Sequence, residues 1–295
     1  TTLTVALSTG LFAPHVLVPP TPGPLSAAAT LNLENIFLLF ICGGILALIL
    51  SLVGAFYSEN FIEKSNVLSK ENINELLIQT QSESSMSFKL ASSPIWVPIL
   101  LMTLRPFINS DFIFLSSPSF ALFIGVIISL YILKKKASLK NLLITSIKQS
   151  TPIIAITGMG GALGNIIQNI DVVSWFNEVN SISSLGIIIP FLIAATLKTA
   201  QGSSTVAIIT TASIVAPMLA VFGLENEMGK VATILAIGVG SMTTSHANDS
   251  YFWIVSQMGG LDVKTAYKTH TVATLVQGLV GILLLITIYN LIMIF

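Results

Sequence analysis

The sequence predicts an all-α membrane protein with several transmembrane helices. Of its 295 residues, 53% are hydrophobic and only 9% are charged, whereas a soluble domain usually carries about 25% charged residues. The mean hydropathy is +0.88, and most of the charges lie between long apolar runs. No water satisfies backbone groups inside lipid, so a run that crosses the bilayer must be helical.

The uncharged runs give the candidate spans. A helix needs about 20 residues to cross the hydrocarbon core, and most of the runs reach that length: 36–56, 112–133, 149–170, 179–197, 199–224, 231–248 and 271–295. A shorter run at 90–104 is followed by Arg105. It is either a tilted span with Arg105 reaching the interface or a segment that does not fully cross. Because the chain opens inside an apolar segment, we expect that its N-terminal part is missing.

The loop charges indicate orientation and domains. A lysine-rich connector follows the run 112–133, and short loops rich in Lys and Arg face the cytoplasm; its members are Lys134, Lys135, Lys136, Lys140 and Lys148. The charged stretch near 57–89 then also faces the cytoplasm, if both intervening runs cross. We therefore divide the chain into the remainder of a first membrane repeat (1–57), a cytoplasmic linker (58–93) and a second membrane repeat (94–295).

Several apolar runs are interrupted by Gly, Pro and hydroxyl residues. These interruptions lie at 14–24, 158–165, 201–205 and 238–246. Broken helices mark the substrate site in secondary transporters, while small residues can also serve only close helix packing. Four interruptions in one chain favour a cavity. Residues 4–15 and 233–246 both run from Thr through small apolar residues and Gly to His, a loose echo of two repeats.

Two charges, Lys198 and Asp249, lie within or beside the interrupted runs. Ionisable groups at membrane depth are functional candidates by default. If the stretch around Asp249 is helical, Ser245 and His246 share its face, and a carboxylate beside an imidazole suits a proton-coupled step. The alternative places this stretch at the interface, with Tyr251 as an interfacial aromatic. Lys198 either meets an anionic substrate, neutralises Asp249 or snorkels at a helix end.

The sequence offers little support for other classes of function. The formal net charge is zero and Cys42 is the only cysteine, which argues against a nucleic-acid partner and a disulfide or thiolate cluster. We find no metal-ligand spacing, no phosphate loop and no nucleophile–base pair, so no cofactor is expected. We place Lys264, Lys268 and His270 at the cytoplasmic surface. The rivals that stay open are a membrane-embedded enzyme, with His246 and Asp249 as acid and base, and a passive channel.

Three motifs in this order resemble the gluconate permease family: 18–24 (VPPTPGP), 200–207 (AQGSSTVA) and 245–253 (SHANDSYFW). The family comprises symporters of the bacterial inner membrane for gluconate and related sugar acids, and some members take D-serine. The resemblance covers essentially the whole chain. It implies two inverted repeats with re-entrant hairpins, and proton-coupled uptake.

The sequence departs from the family pattern at four positions. Thr21 stands where many members have a second His, and Lys198 replaces an Arg, which loses bidentate carboxylate recognition. Ser204 replaces a smaller residue and Tyr251 replaces a Gly. Because the last two changes fall in or near the expected cavity, they allow a substrate other than gluconate.

We therefore predict a multi-pass proton symporter of the bacterial inner membrane for gluconate or a related hydroxylated carboxylate. The alternatives are a permease for D-serine or another small organic acid, and sodium as the coupling ion. Lipid surrounds the protein, which is a monomer or a homo-oligomer. The residues expected to bind substrate or proton are His15, Pro19, Pro20, Pro22, Gly23, Lys198, Gln201, Gly202, Ser203, Ser204, Thr205, Ser245, His246, Asn248, Asp249 and Ser250.

Overall fold

A computed structural model describes residues 1–62, 87–103, 114–133, 140–148, 150–151, 154–155 and 186–294. Every regular element in these ranges is helical, as predicted. The interruption at 158–165 lies outside the described residues. The principal helices are α1 (Thr2–Leu17), α2 (Pro22–Thr30), α3 (Ile36–Phe61), α4 (Phe88–Thr103), α5 (Pro118–Leu133), α6 (Ile188–Gln201), α7 (Ser204–Val215), α8 (Glu227–Met242), α9 (Ser250–Met258), α10 (Val263–Ala266) and α11 (Val272–Ile294).

The chain forms two compact units, one of Thr1–Ser65 with Ala155–Phe295 and the other of Asn66–Ile154. Among the described residues of the first unit, three helical stretches are long and apolar enough to cross a membrane: Thr2–Thr30, Ile36–Phe61 and Val263–Leu291. One face of α3 exposes large apolar side chains at helical spacing, namely Ile41, Ile45, Leu48, Leu52 and Phe56. Water would disfavour such a stripe, whereas lipid solvates it.

Helix α8 forms the centre of the first unit. Every residue from 231 to 242 is buried, and the helix packs against α1, α3, α6, α7 and α11. A side chain at Gly238 would meet the carbonyl of Val16, and one at Gly240 the carbonyl of Phe191. The helix therefore runs through both glycines, which serve close packing, and the interruption that we placed at 238 begins only after Met242.

Three of the predicted interruptions separate short helices. Helix α6 has 14 residues and α7 has 12, which makes them about 21 Å and 18 Å long, less than the hydrocarbon core of about 30 Å. Lys198 lies inside α6, so the boundaries that we drew at 197 and 199 are wrong. Helices α1 and α8 each have 16 residues and are followed by a break and a nine-residue helix, α2 or α9.

In the second unit, α4 and α5 pack against each other. Each has 16 residues, a length of about 24 Å. A side chain at Gly125 of α5 would meet Pro94 and Pro98 of α4, so the absence of a side chain permits the contact. Arg105, which distinguished the two interpretations of this segment, lies outside the described residues.

The packing of α8 predicts different effects for two glycines. Gly240→Ala is expected to lower the free energy of unfolding by about 1–3 kcal/mol, because the new methyl group overlaps the Phe191 carbonyl of α6. Gly44→Ala in α3 is the matched control, since a methyl group at that position would meet nothing within 4 Å. Thermal unfolding in detergent measures both variants. Equal stability of the two would contradict the packing of α6 against α8.

Candidate functional site

Lys198 and Asp249 form a buried ion pair. Lys198 lies in the last turn of α6, and Asp249 directly precedes α9. The Lys198 Nζ is 2.5 Å from the Asp249 Oδ2, and the side chains are only 1% and 5% exposed. Lys198 therefore does not snorkel; of the roles that we considered for it, it neutralises Asp249 in this conformation.

Further hydrogen bonds satisfy both charges. The Ser245 hydroxyl donates to Asp249 Oδ2 at 2.5 Å, and the backbone N–H of Tyr251 donates to Oδ1 at 3.0 Å. The second bond makes Asp249 the N-cap of α9. The Lys198 ammonium also donates to the carbonyl of Gly202 at 3.2 Å. A buried ion pair is tolerated when its remaining donors and acceptors are bonded in this way.

The segment from 243 to 249 is a non-helical break between α8 and α9. The helical arrangement that we considered for Ser245, His246 and Asp249 is therefore wrong, although Ser245 still reaches Asp249 through the turn. The His246 ring is half-buried, and its Nδ1 accepts from the N–H of Asn248 at 3.4 Å. In the described part of the chain, no hydrogen bond joins this ring to Asp249.

Two neighbouring helices hold the break in place. The N–H of Ser245 donates to the Thr274 hydroxyl at 3.0 Å, and its carbonyl accepts from Thr271 at 2.6 Å. On the other side, the Asn248 amide donates to the carbonyl of Thr199 at 2.6 Å. The break is thereby tied to α11 and to α6.

Gly202 makes the turn between α6 and α7. Its φ is +76°, in the left-handed region that favours glycine, and a side chain there would overlap the Asn248 carbonyl. Ser203 caps α7, accepting from the N–H of Val206 at 3.4 Å. Helix α7 therefore begins at Ser204, directly after this turn and its cap.

A cavity of about 360 Å³ lies beside the ion pair, within the usual range for small-molecule sites of roughly 300–1,000 Å³. Its polar lining joins α1 to the N-terminal ends of α7 and α9, and the lining residues are Leu11, Phe12, His15, Ser203, Ser204, Thr205, Asp249, Ser250, Tyr251 and Ile254. Helix N-termini present free N–H groups and a positive dipole end. The arrangement can therefore hold a small anion or a hydroxylated solute.

The remaining sequence-predicted residues lie outside this lining. Pro19, Pro20, Pro22 and Gly23 belong to the break that precedes α2 and to its first turn. The others are Lys198, Gln201, Gly202, Ser245, His246 and Asn248. The Pro19–Pro20 peptide is cis. A side chain at Gly23 would meet Ile208 of α7, so this segment packs against α7. Among the described residues, no group of three His, Cys, Asp or Glu side chains could hold a metal ion.

Sequence reasoning missed part of the site. Phe12, which the sequence did not indicate, forms one wall of the cavity with Tyr251, which we had placed in or near it; their ring centroids are 4.8 Å apart. His270, which we placed at the cytoplasmic surface, is fully buried beside Tyr251. A signal was present, because His270, Thr274 and Gln277 recur at helical spacing and are all buried.

The ion pair predicts non-additive effects on stability. Asp249→Asn leaves the Lys198 ammonium buried without its counter-ion, which is expected to cost about 3–5 kcal/mol. The double variant Lys198→Met/Asp249→Asn is expected to recover most of that loss, since neither charge is left unpaired. Thermal unfolding of the single and double variants in detergent measures the coupling. Additive losses would contradict the pairing.

Gly202 and Gly223 form a second matched comparison. Both have a positive φ, but a methyl group at Gly223 would meet nothing within 4 Å. Gly223→Ala is expected to cost only backbone strain, about 1–2 kcal/mol. Gly202→Ala is expected to cost about 1–3 kcal/mol more, because it also displaces Asn248. Equal losses in thermal unfolding would argue against the contact between the two breaks.

Comparison with known proteins identifies the family of this chain. The family model described as GntP family permease matches residues 1–292. An uncharacterized permease of Haemophilus influenzae is 30% identical over 311 residues, covering 95% of this chain and 62% of the relative. The gluconate permease of Pseudomonas aeruginosa is 28% identical, covering 96% of this chain and 66% of the relative.

The D-serine transporter DsdX of Escherichia coli is 26% identical, covering 95% of this chain and 66% of the relative. The chain thus spans 62–66% of the length of these three relatives. Their names are those of permeases and transporters, which counts against a membrane-embedded enzyme. The resemblance carried by the three motifs is confirmed, and the chain belongs to the GntP permease family.

Proposed function

We propose that this chain is part of a secondary transporter that imports gluconate or a related hydroxylated carboxylate together with a proton. The observation that carries the proposal is the buried Lys198–Asp249 pair beside a cavity formed where two interrupted helices meet. Ionisable groups at membrane depth mark substrate and ion pathways. The relative named gluconate permease in Pseudomonas aeruginosa supports the choice of substrate.

In this proposal, Lys198 has two alternative anionic partners. In this structure it neutralises Asp249. A proton on Asp249 removes that negative charge and leaves the ammonium to stabilise the carboxylate of an incoming substrate. Proton and anion then enter together, because either one alone would leave an uncompensated charge in a buried site.

The cavity lining suits the rest of such a substrate. Ser203, Ser204, Thr205 and Ser250 offer hydroxyl groups that both donate and accept hydrogen bonds. His15 adds a further donor from α1. The first turns of α7 and α9 add backbone N–H groups. His246 makes no side-chain hydrogen bond to the pair in the described part of the chain and remains a secondary candidate for the proton.

D-serine is the alternative substrate, because a relative is named a D-serine transporter. Its carboxylate would pair with Lys198 and its ammonium group with Asp249, so both charges would be compensated without a proton. Sodium is the alternative coupling ion, since carbonyl and hydroxyl oxygens at broken helices can hold Na⁺. We place the protein in the bacterial inner membrane as a multi-pass monomer or homo-oligomer.

The test is uptake by proteoliposomes that carry the full-length parent protein, with labelled gluconate and an imposed inward proton gradient. Accumulation that a protonophore abolishes would support the symporter. Accumulation that requires sodium would identify sodium as the coupling ion instead of the proton. Uptake of D-serine but not of gluconate would identify D-serine as the substrate. Uptake that never exceeds the equilibrium distribution would indicate a channel.

We call the exchange of Asp249 for a substrate anion as the partner of Lys198 the charge switch. It predicts the behaviour of defined variants. Asp249→Asn and the double variant Lys198→Met/Asp249→Asn are both expected to lose accumulation, with the inside-to-outside ratio falling to about one, since neither has a carboxyl group to take the proton. Glu225→Gln removes an exposed carboxylate and is the control. His246→Gln tests the secondary candidate. Undiminished accumulation by the double variant, which is expected to recover most of the lost stability, would disprove the role of the pair.

A further inference from the structure

His270 is a buried histidine that the charge switch does not use. It lies in a π-helical turn, Tyr267–Thr271, that joins α10 to α11, and it has no exposed surface. Single π-helical turns inside helices are frequent at functional sites. A histidine at the surface would need no explanation, whereas a histidine buried at membrane depth needs one.

The hydrogen bonds of His270 leave one ring nitrogen vacant. Its Nδ1 is 3.2 Å from the Ser8 hydroxyl oxygen, and that hydroxyl lies 3.0 Å from the carbonyl of Val5. If the Ser8 proton is donated to Val5, Nδ1 carries the histidine proton and Nε2 has a free lone pair. Among the described residues, nothing bonds Nε2. Native structures rarely keep such an atom without a functional reason.

Ser8 also connects His270 to the cavity wall. The Tyr251 hydroxyl donates to the carbonyl of Ser8 at 2.7 Å, and the Tyr251 ring meets the His270 ring edge-on, with centroids 5.7 Å apart. Tyr251 lines the cavity, and its N–H donates to Asp249. A chain of direct contacts therefore runs from the ion pair through Tyr251 and Ser8 to His270.

We propose that His270 is a second proton-accepting residue of the transport cycle, coupled to the Lys198–Asp249 pair through Tyr251 and Ser8. The proton adds to the Nε2 lone pair and gives an imidazolium, while Nδ1–H stays bonded to Ser8. The positive charge would find no partner at Nε2 in this conformation. Protonation would therefore favour a conformation in which Nε2 reaches an acceptor or water.

Three elements contribute the groups that face His270. From α1 it meets Ser8, and from α9 it meets the rings of Tyr251 and Phe252. The charged groups that act on it electrostatically are Asp249 and Lys198. On its own segment, Lys264 and Lys268 are exposed, and Tyr267 bonds the N–H of Ala247. Of these, only Tyr251 is both titratable and in ring contact with His270.

The inference rests on the proposed transport function, so its test compares variants with the unaltered protein. His270→Asn keeps an amide nitrogen near Ser8 but cannot take a proton in this range of pH. In proteoliposomes carrying the full-length parent, it is expected to retain exchange of labelled gluconate across the membrane at equal concentrations. Proton-driven accumulation is expected to fall at least about tenfold, and the dependence of uptake on external pH to flatten. Lys268→Gln, which removes a charge from the same turn, is the control and should behave as the unaltered protein.

Each outcome separates the two proposals. If the unaltered protein shows no proton-driven uptake, the transport proposal fails and this one with it. If the unaltered protein accumulates gluconate and His270→Asn matches it in accumulation and pH profile, only the role of His270 is overturned. Ser8→Ala, which keeps the histidine, covers the case in which His270→Asn does not fold. It is expected to shift the pH midpoint of uptake, and an unchanged midpoint would count against the coupling.

Discussion

The need to satisfy two charges away from water explains most of the architecture around the site. Lys198 and Asp249 neutralise each other, but each also needs further hydrogen-bond partners. An uninterrupted helix offers none, because its backbone groups bond one another. The breaks after α6 and after α8 release such groups: the Gly202 carbonyl accepts from Lys198, and the N–H of Tyr251 donates to Asp249. The buried ion pair therefore depends on the interruptions, because they free the backbone groups that bond its two charges.

Much of the fold follows from the sequence because lipid leaves few alternatives. Apolar runs in a membrane protein must be helical, and the described elements are. The exact ends were harder to predict. Hydropathy placed a boundary at Lys198, yet α6 continues to Gln201 because the ammonium finds a partner inside the protein. Likewise, Gly238 and Gly240 looked like a break but serve contacts with α1 and α6, which only the packed structure reveals.

The sequence predicted several residues of the site, but not which of them contact one another. Lys198 and Asp249 stood out as charges near membrane depth, and 201–205 as an interruption, which is the turn between α6 and α7. The sequence could not distinguish whether Asp249 would share a face with His246, because that depended on a helix that does not form. His270 was misplaced for a related reason. It was placed at the surface with Lys264 and Lys268 because all three flank the last apolar run, whereas in the π-helical turn the histidine is buried and Lys268 is exposed.

The proposed coupling follows from which states of the site are electrically neutral. With Lys198 paired to Asp249, as in this structure, the site has no net charge. With a proton on Asp249 and an anion beside Lys198, it is neutral again. With only the proton or only the anion, one charge stays uncompensated, and the conformational change would carry that charge through a medium of low dielectric constant. Reorientation is then easiest for the empty and the fully loaded carrier, which is the condition for symport. A neutral pair therefore achieves what a single carboxylate could not, because an ionised carboxylate without Lys198 would oppose the return of the empty carrier.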